Sequence, residues 1–350
     1  MTSLVFVTQL IDPEDPALGF VCGWISALAE KLDRVDVVAN EVRCVPNFPG
    51  DVVIHSLGKE RGIGRIGRGL RFQRTLASLF AERKPVAVLA HMCPDYLTLG
   101  APLAKAYGVR SMLWFAHPAN SWRLATAERL ADRVLTSLPG SYPRASQKVR
   151  VIGQAIDTRR LDFRPAELNS GAPRIVAMGR TSRSKGFDTI IRGVALLRRR
   201  GIAATLKIIG PSTTEAERRH RDVLAKLTAD LGLVGTVTVT DGVPPHRVPT
   251  EIRGADVLAN AMVAGSGDKV VFEALALGLP VVVSNPAFGD LVDGVGPRFR
   301  FRPDDPEDLA DCLSSLTQTE MGDALRVLRS RVERQHSLDH WADAVLEAAG

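Results

Sequence analysis

Two glycine-bounded loops in the second half of the chain carry residue types that bind phosphate. The first is Gly179-Arg180, followed by Ser184-Lys185-Gly186. An arginine grips phosphate oxygens through paired N–H groups, and a lysine adds a compact positive charge. This loop leaves a strand-like run, Arg174–Met178, and enters a helical pattern. An ordinary βα loop with exposed cations is the other reading of it. The second is Gly265-Ser-Gly-Asp-Lys-Val-Val-Phe-Glu, running on to Gly278 and Pro280. A helix is expected to start near Asp268. Its first N–H groups are unpaired and its dipole is positive there, which suits a phosphate, with Lys269 adding charge. Glu273 interrupts an otherwise apolar helix, where an acid fits hydroxyl binding. The plainer alternative is that Asp268 caps the helix and Glu273 is a structural acid.

In the first half, His117 follows the apolar run Ser111–Ala116, and His91 follows Val86–Ala90. Histidines at strand ends point toward a ligand edge, although a lone histidine is more often structural. Gly62-Ile-Gly64-Arg-Ile-Gly67 matches G-x-G-x-x-G literally. It does not leave a strand directly, and no acidic strand end follows, so a flexible loop fits better than a dinucleotide site. The same stretch, Lys59–Arg74, holds six basic residues, one acid and a single aromatic, Phe72. That composition fits a solvated face, or contact with an anionic acceptor or membrane surface through residues such as Arg65 and Arg68. It does not fit base stacking on nucleic acid. No Asp-x-Asp pair, Walker loop, His-Glu-x-x-His or Gly-x-Ser-x-Gly occurs.

These residues need a scaffold. Short, nearly continuous apolar runs alternate with helical patterns, which indicates parallel sheets covered on both faces. The alternation restarts at Arg174 after Thr158–Pro173, a polar stretch with two prolines that reads as a linker. A length of 350 residues fits about two domains. The expected division is 1–165, joined by a terminal helix 335–350, and 166–334. Both domains are expected to be doubly wound α/β units bordering a cleft. Composition is near the globular average, with 45% apolar and 24% charged residues, so disorder is not expected. Lys and Arg outnumber Asp and Glu by 45 to 39, a mild surplus that suits a small anionic ligand. No run approaches the about 18 apolar residues that a membrane span needs. The first residues lack a basic start and a cleavage site, and the four cysteines lie far apart without a C-x-x-C. A reduced, cytoplasmic setting without metal is the expectation.

Taken together, the residues resemble the retaining GT-B glycosyltransferases of family 4, the group 1 glycosyl transferases. The resemblance rests on Val-Ala-Met-Gly-Arg-Thr-Ser-Arg-Ser-Lys-Gly-Phe-Asp at 176–188, Ile-Ile-Gly-Pro at 208–211, Asp241-Gly-Val, Ala255-Asp256, and Glu273-Ala-Leu-Ala-Leu-Gly-Leu-Pro-Val. The first half matches more loosely, at Leu18-Gly19-Phe20, His117 and Val151-Ile-Gly-Gln-Ala-Ile-Asp157. The resemblance implies two Rossmann-like domains, with the last helix, Asp339–Ala349, crossing back to the N-terminal one. It implies transfer of a sugar from a nucleotide diphosphate sugar to an acceptor hydroxyl, with retention and without metal. It implies that Arg180 and Lys185 hold the diphosphate, and that Asp268, Lys269 and Val270 form the helix start facing the donor. By the same resemblance Glu273 binds the ribose, and Gly210, Pro211 and Val243 surround the base. Gly19 lies near the phosphates, and His117 faces the donor sugar.

A UDP-hexose or UDP-N-acetylhexosamine is the first expectation for the donor, GDP-mannose the second. The acceptor is expected to be a sugar, a natural product or a lipid-linked molecule, with His91, Arg65 and Arg68 near it. The sequence departs from the family at one place. The family carries a second Glu eight residues before Glu273, and here Gly265 stands there. Asp268 or the loop Gly265–Gly267 is the expected substitute. Two other functions fit the same scaffold: a nucleotide-sugar-binding protein without catalysis, and a nucleotide-sugar epimerase.

Overall fold

The computed structural model describes residues 2–166, 171–265, 267–316 and 320–350. The described chain forms two compact units, Met1–Ala155 with Gln335–Gly350, and Ile156–Arg334.

The first unit runs β1 (Ser3–Ile11), α1 (Val21–Ala29), β2 (Arg34–Val42), β3 (Val52–Ser56), α2 (Arg65–Arg83), β4 (Ala87–His91), α3 (Pro94–Tyr107), β5 (Arg110–Trp114), α4 (Trp122–Leu130), β6 (Arg133–Thr136) and β7 (Val149–Val151). Its seven strands pair in the order β3-β2-β1-β4-β5-β6-β7. The pairs are parallel, for example Phe6 beside Val37 and beside Leu89. Successive side chains of a strand point to opposite faces. Leu4 and Phe6 therefore enter one core with α1, while Val5 and Val7 enter the other with Phe72, Leu76 and Phe80 of α2. This explains why β1 is apolar at nearly every position: both faces are buried.

The second unit runs β8 (Arg174–Met178), α5 (Phe187–Arg199), β9 (Thr205–Ile209), α6 (Glu215–Asp230), β10 (Val237–Thr240), α7 (Val248–Arg253), β11 (Val257–Asn260), α8 (Lys269–Leu277), β12 (Val281–Val283), α9 (Gly289–Val292), α10 (Pro306–Leu316) and most of α11 (Gly322–His336). Its strands order as β10-β9-β8-β11-β12, all parallel. The strand order reverses between β1 and β4 in the first unit and between β8 and β11 in the second. Such switch points are where doubly wound sheets hold ligands, at the carboxyl ends of the strands.

The expected linker is anchored on the second unit for much of its length. Arg329 donates to the carbonyls of Thr158 and Leu161, each at 2.9 Å. The Arg164 and Ala166 amides donate to Leu277 and Gly278 at 3.0 and 2.9 Å. Residues 167–170 of that stretch lie outside the described residues. The last helix, α12 (Leu338–Ala349), belongs to the first unit and packs on α1. Trp341 is fully buried there, with its ring 4.6 Å from Trp24 and 6.0 Å from Trp114. Lys31 and Asp343 close the edge of the contact at 2.7 Å.

Candidate active site

In the second unit the two glycine-bounded loops meet at the switch point. β8 ends at Met178, and Gly179 turns the chain with φ 141°, a conformation that favours glycine. The Lys185 side chain lies across this turn, since a Cβ on Gly179 would sit 2.7 Å from Lys185 Cε. Lys185 Nζ donates to Asp268 Oδ2 at 2.6 Å and contacts Met262 Sδ at 3.4 Å. Asn260, the last residue of β11, donates to the same Asp268 oxygen at 2.8 Å. The Lys185 and Asp268 side chains are only 14% and 18% exposed, so the pair sits in partly dehydrated surroundings.

Asp268 immediately precedes α8, but its side chain does not cap that helix. It is turned to Lys185 and Asn260 instead. This settles one alternative left by the sequence, in which Asp268 served the helix start. Lys269 opens α8, and Glu273 lies one turn on, its carboxylate 3.7 Å from Lys269 Nζ. Burial pushes the Glu273 carboxyl up and the Lys269 ammonium down; each charge on the other partly restores the ionised forms. Asp157, at the entry to this unit, also favours the Lys269 cation. Val270, in the first turn of α8, is buried. Ser266, within the loop where the missing family acid is expected, lies outside the described residues.

Arg180 is half-exposed, and its guanidinium is 3.2 Å from Glu217 Oε1. Glu217 itself is buried and heavily bonded. It accepts from the Thr213 and Thr214 amides at 2.8 and 3.0 Å and from the Thr213 hydroxyl at 2.7 Å. Burial would raise its carboxyl, but these donors and Arg180 outweigh that and hold it below the ordinary range. Glu217 thus orients Arg180 while closing the capping box of α6. Next to Arg180, the Thr181 amide donates to the Pro211 carbonyl at 3.2 Å, and the Thr181 carbonyl faces His220 Nδ1 at 3.0 Å. Glu217, His220 and Asn260 are site-supporting residues that the sequence reading missed. The Thr214-x-x-Glu217 spacing was a visible signal for the first of them.

Gly210, Pro211 and Val243 lie where the ends of β9 and β10 converge on this turn. The Gly179 amide donates to Ile209 at 3.0 Å and the Gly210 amide to Thr240 at 3.1 Å. A Cβ on Gly210 would overlap the Gly179 carbonyl, so these backbones touch directly. Gly242 packs on the Pro211 ring, where a Cβ would sit 2.7 Å from Cδ, and carries the half-buried Val243 beside it.

In the first unit, Gly19 precedes α1 at the carboxyl end of β1 and donates to the Asp15 carbonyl at 2.9 Å. His117 is exposed beyond the end of β5, its Nδ1 accepting from the Ala119 amide at 3.0 Å. His91 lies elsewhere than expected. β4 continues through it, pairing it with Trp114, and its ring is 2% exposed among Phe6, Phe20 and Trp24. Its Nδ1 lies 3.3 Å from the Thr8 hydroxyl, and burial pushes the imidazole down to about 3, so it stays neutral. A ring without access to solvent cannot meet an acceptor, so His91 is a core residue. Arg65 opens α2 and is exposed. Arg68 is half-buried and donates to the Ile63 carbonyl at 2.6 Å. Of the stretch read as a flexible loop, residues 62–64 precede α2 and residues 65–67, Gly67 included, form its start.

Comparison with known proteins agrees with this geometry. Residues 172–319, which contain Arg180, Lys185, Asp268 and Glu273, match the family described as Glycosyl transferases group 1. Over 121 residues the chain is 33% identical to a D-inositol 3-phosphate glycosyltransferase of Nocardia farcinica, covering 34% of this chain and 26% of that protein. Over 221 residues it is 28% identical to a GDP-mannose-dependent alpha-(1-6)-phosphatidylinositol monomannoside mannosyltransferase of Mycobacterium tuberculosis, covering 54% of this chain and 55% of that one. The matches thus span between a quarter and about half of these relatives. In three dimensions the chain is similar to Anabaena Alr3699/HepE, crystallised with UDP and glucose, with a TM-score of 0.75, 15% identity and 99% of each chain covered. The fold is therefore GT-B, and residues 172–319 of the chain are similar to the group 1 glycosyl transferases.

Proposed function

We propose that this chain transfers a sugar from a nucleotide diphosphate sugar to an acceptor hydroxyl, with retention of configuration. In the reaction the bond from the anomeric carbon to the diphosphate breaks, and its electron pair leaves with the nucleotide. A bond from the acceptor oxygen to that carbon forms, and the acceptor proton is released. The observation that carries this reading is the convergence of Lys185, Asp268 and Asn260 at the β8/β11 switch point, beside the uncapped start of α8.

A departing diphosphate gains negative charge. Lys185 keeps an N–H for it beyond the one given to Asp268, because an ammonium has three. Arg180, steadied by Glu217, adds a forked donor. The start of α8 adds a fixed partial positive charge. Donors held in place in poorly hydrated surroundings stabilise such charge strongly and need no metal for it. Glu273, whose ionised form Lys269 favours against the effect of burial, accepts from the ribose hydroxyls. Gly210, Pro211 and Val243 form a flat, close-packed border for the base.

The mannosyltransferase relative, named for its use of GDP-mannose, supports a GDP-sugar. The fold neighbour, seen with UDP and glucose, keeps a UDP-hexose in contention. The relatives named for inositol phosphate and phosphatidylinositol mannoside support a polyol or sugar acceptor, free or lipid-linked.

A panel of UDP, GDP, UDP-glucose, UDP-N-acetylglucosamine and GDP-mannose in a thermal-shift measurement tests the donor site. One nucleotide class is expected to raise the melting temperature, as a ligand held by the folded state alone must, with about 2.7 kcal/mol of stabilisation at a hundredfold excess over Kd. A folded sample indifferent to the whole panel would remove the basis of the reading.

A further inference from the structure

The donor site does not use the most conspicuous surface of the first unit. α3 packs between α2 and α4. On these three neighbouring helices large apolar side chains stand in solvent: Ile66 is 83% exposed, Leu70 57%, Leu99 43% and Trp122 74%. Ile66 and Leu70 are one turn apart on α2, so they share a face. Gln73, on the same stripe, donates to the Leu99 carbonyl at 2.6 Å, which sets that stripe against α3. Asp95 of α3 pairs with Arg123 of α4 at 3.4 Å, which ties the start of α4, with Trp122, to the same surface. Arg123 lies over the Trp122 ring, 5.6 Å from its centre. Arg65 and Arg74 are exposed beside the apolar stripe, and neither has an ion pair among the described residues.

Single exposed apolar residues are unremarkable, but a cluster rimmed by unpaired cations marks an interaction surface. We propose that this face of the first unit docks on an anionic lipid bilayer. The residue types choose the partner. Tryptophan, isoleucine and leucine beside arginines are the makeup of interfacial helices, which bury the apolar face at the headgroup level and pair the cations with anionic lipid. A tryptophan with an adjacent arginine suits the interfacial belt. No helix among the described residues is long and apolar enough to cross a membrane, so the contact is a surface one. The inference is independent of the proposed transfer, since docking needs no donor.

Co-sedimentation of the full chain with phosphatidylcholine vesicles, with and without phosphatidylglycerol, tests it. The chain is expected to pellet with the anionic vesicles, to stay in solution with phosphatidylcholine alone, and to be released by high salt. The double variant Ile66→Ser/Leu70→Ser should weaken binding about tenfold or more. Arg65→Glu/Arg74→Glu should weaken it at least about fivefold per arginine. Both should keep the melting temperature of the unaltered chain, because the positions are exposed. The pair Val223→Ser/Val234→Ser, on exposed positions of the second unit, should bind as the unaltered chain does. Absence of pelleting with anionic vesicles would overturn the inference, as would patch variants that bind undiminished. A reversible dimer that the Ile66→Ser/Leu70→Ser variant abolishes, without vesicle binding, would assign the face to a second copy and overturn it too.

Discussion

Replacing Lys185 with alanine lowers kcat/KM for nucleotide-sugar-dependent transfer by about two to three orders of magnitude, the usual cost of losing one preorganised donor to developing charge. Steady-state kinetics with the donor identified in the nucleotide panel measure it. Lys185 is also paired with Asp268 at 2.6 Å, so the substitution carries a structural cost. Asp268 then keeps only its Asn260 bond in a site that is mostly closed to water, which costs about 1–3 kcal/mol. The double variant Lys185→Ala/Asp268→Asn separates the two effects. It removes the stranded charge and should recover most of the lost stability. It should recover none of the activity, because the cation for the diphosphate is still missing. A double variant that regained transfer would show that Lys185 acts only by holding the loop.

Glu273→Ala has the second-largest expected effect, and it falls on a different kinetic parameter. If Glu273 holds the ribose hydroxyls, it binds ground state and transition state alike, so its loss raises the donor KM and leaves kcat nearly unchanged. A hydrogen bond to a charged group is worth about 1.5–3 kcal/mol, which corresponds to about 10- to 150-fold in KM. The acid side of the pH profile follows from the same residue. Burial raises the Glu273 carboxyl, so on acidification it protonates before an ordinary glutamate does. Donor affinity should therefore weaken at a pH above the usual carboxylate range. Glu273→Gln should bind more weakly throughout and lose that limb of the profile. A fall in kcat at unchanged KM would instead place Glu273 at the reacting centre.

Much of this arrangement was legible in the residues. Strands buried on both faces must be apolar at almost every position, so runs such as Leu4–Thr8 and Arg174–Met178 could be placed on local pattern alone. The turns at Gly179 and Gly210 were legible for a related reason. Close backbone approach leaves glycine as the residue that fits, and Gly179 and Gly210 mark where strand ends touch.

What was not legible depended on a one-residue shift or on contacts far apart in sequence. His91 looked like the residue just past a strand. Because β4 runs one residue further, its ring joins the aromatic core instead of a ligand edge. The glycines at 62, 64 and 67 argued for a loop, yet Gly67 and Gly69 lie inside α2. The packing of Phe72, Leu76 and Phe80 outweighs their cost, about 0.5–1 kcal/mol for each glycine inside a helix, and α2 starts at Arg65. Glu217 steadies Arg180 from a helix start 37 residues away, a distance no local pattern reports. The turn of Asp268 from its helix toward Lys185 likewise depends on a partner 83 residues distant.

The mild positive surplus of the composition now has two addresses. Arg180, Lys185 and Lys269 lie in the candidate donor site. Arg65, Arg74 and Arg123 rim the apolar face of the first unit.

The central claim is that this chain moves a sugar off a nucleotide diphosphate. Proton NMR on the chain with each nucleotide sugar, first alone and then with a set of polyol and sugar acceptors, tests this most directly. The account predicts loss of the donor's anomeric signal, release of free nucleotide diphosphate, and a new glycosidic anomeric signal of the same configuration that requires the acceptor. Conversion of the donor into an isomeric nucleotide sugar without acceptor, or a donor that binds and stays unchanged beside every acceptor, would contradict it.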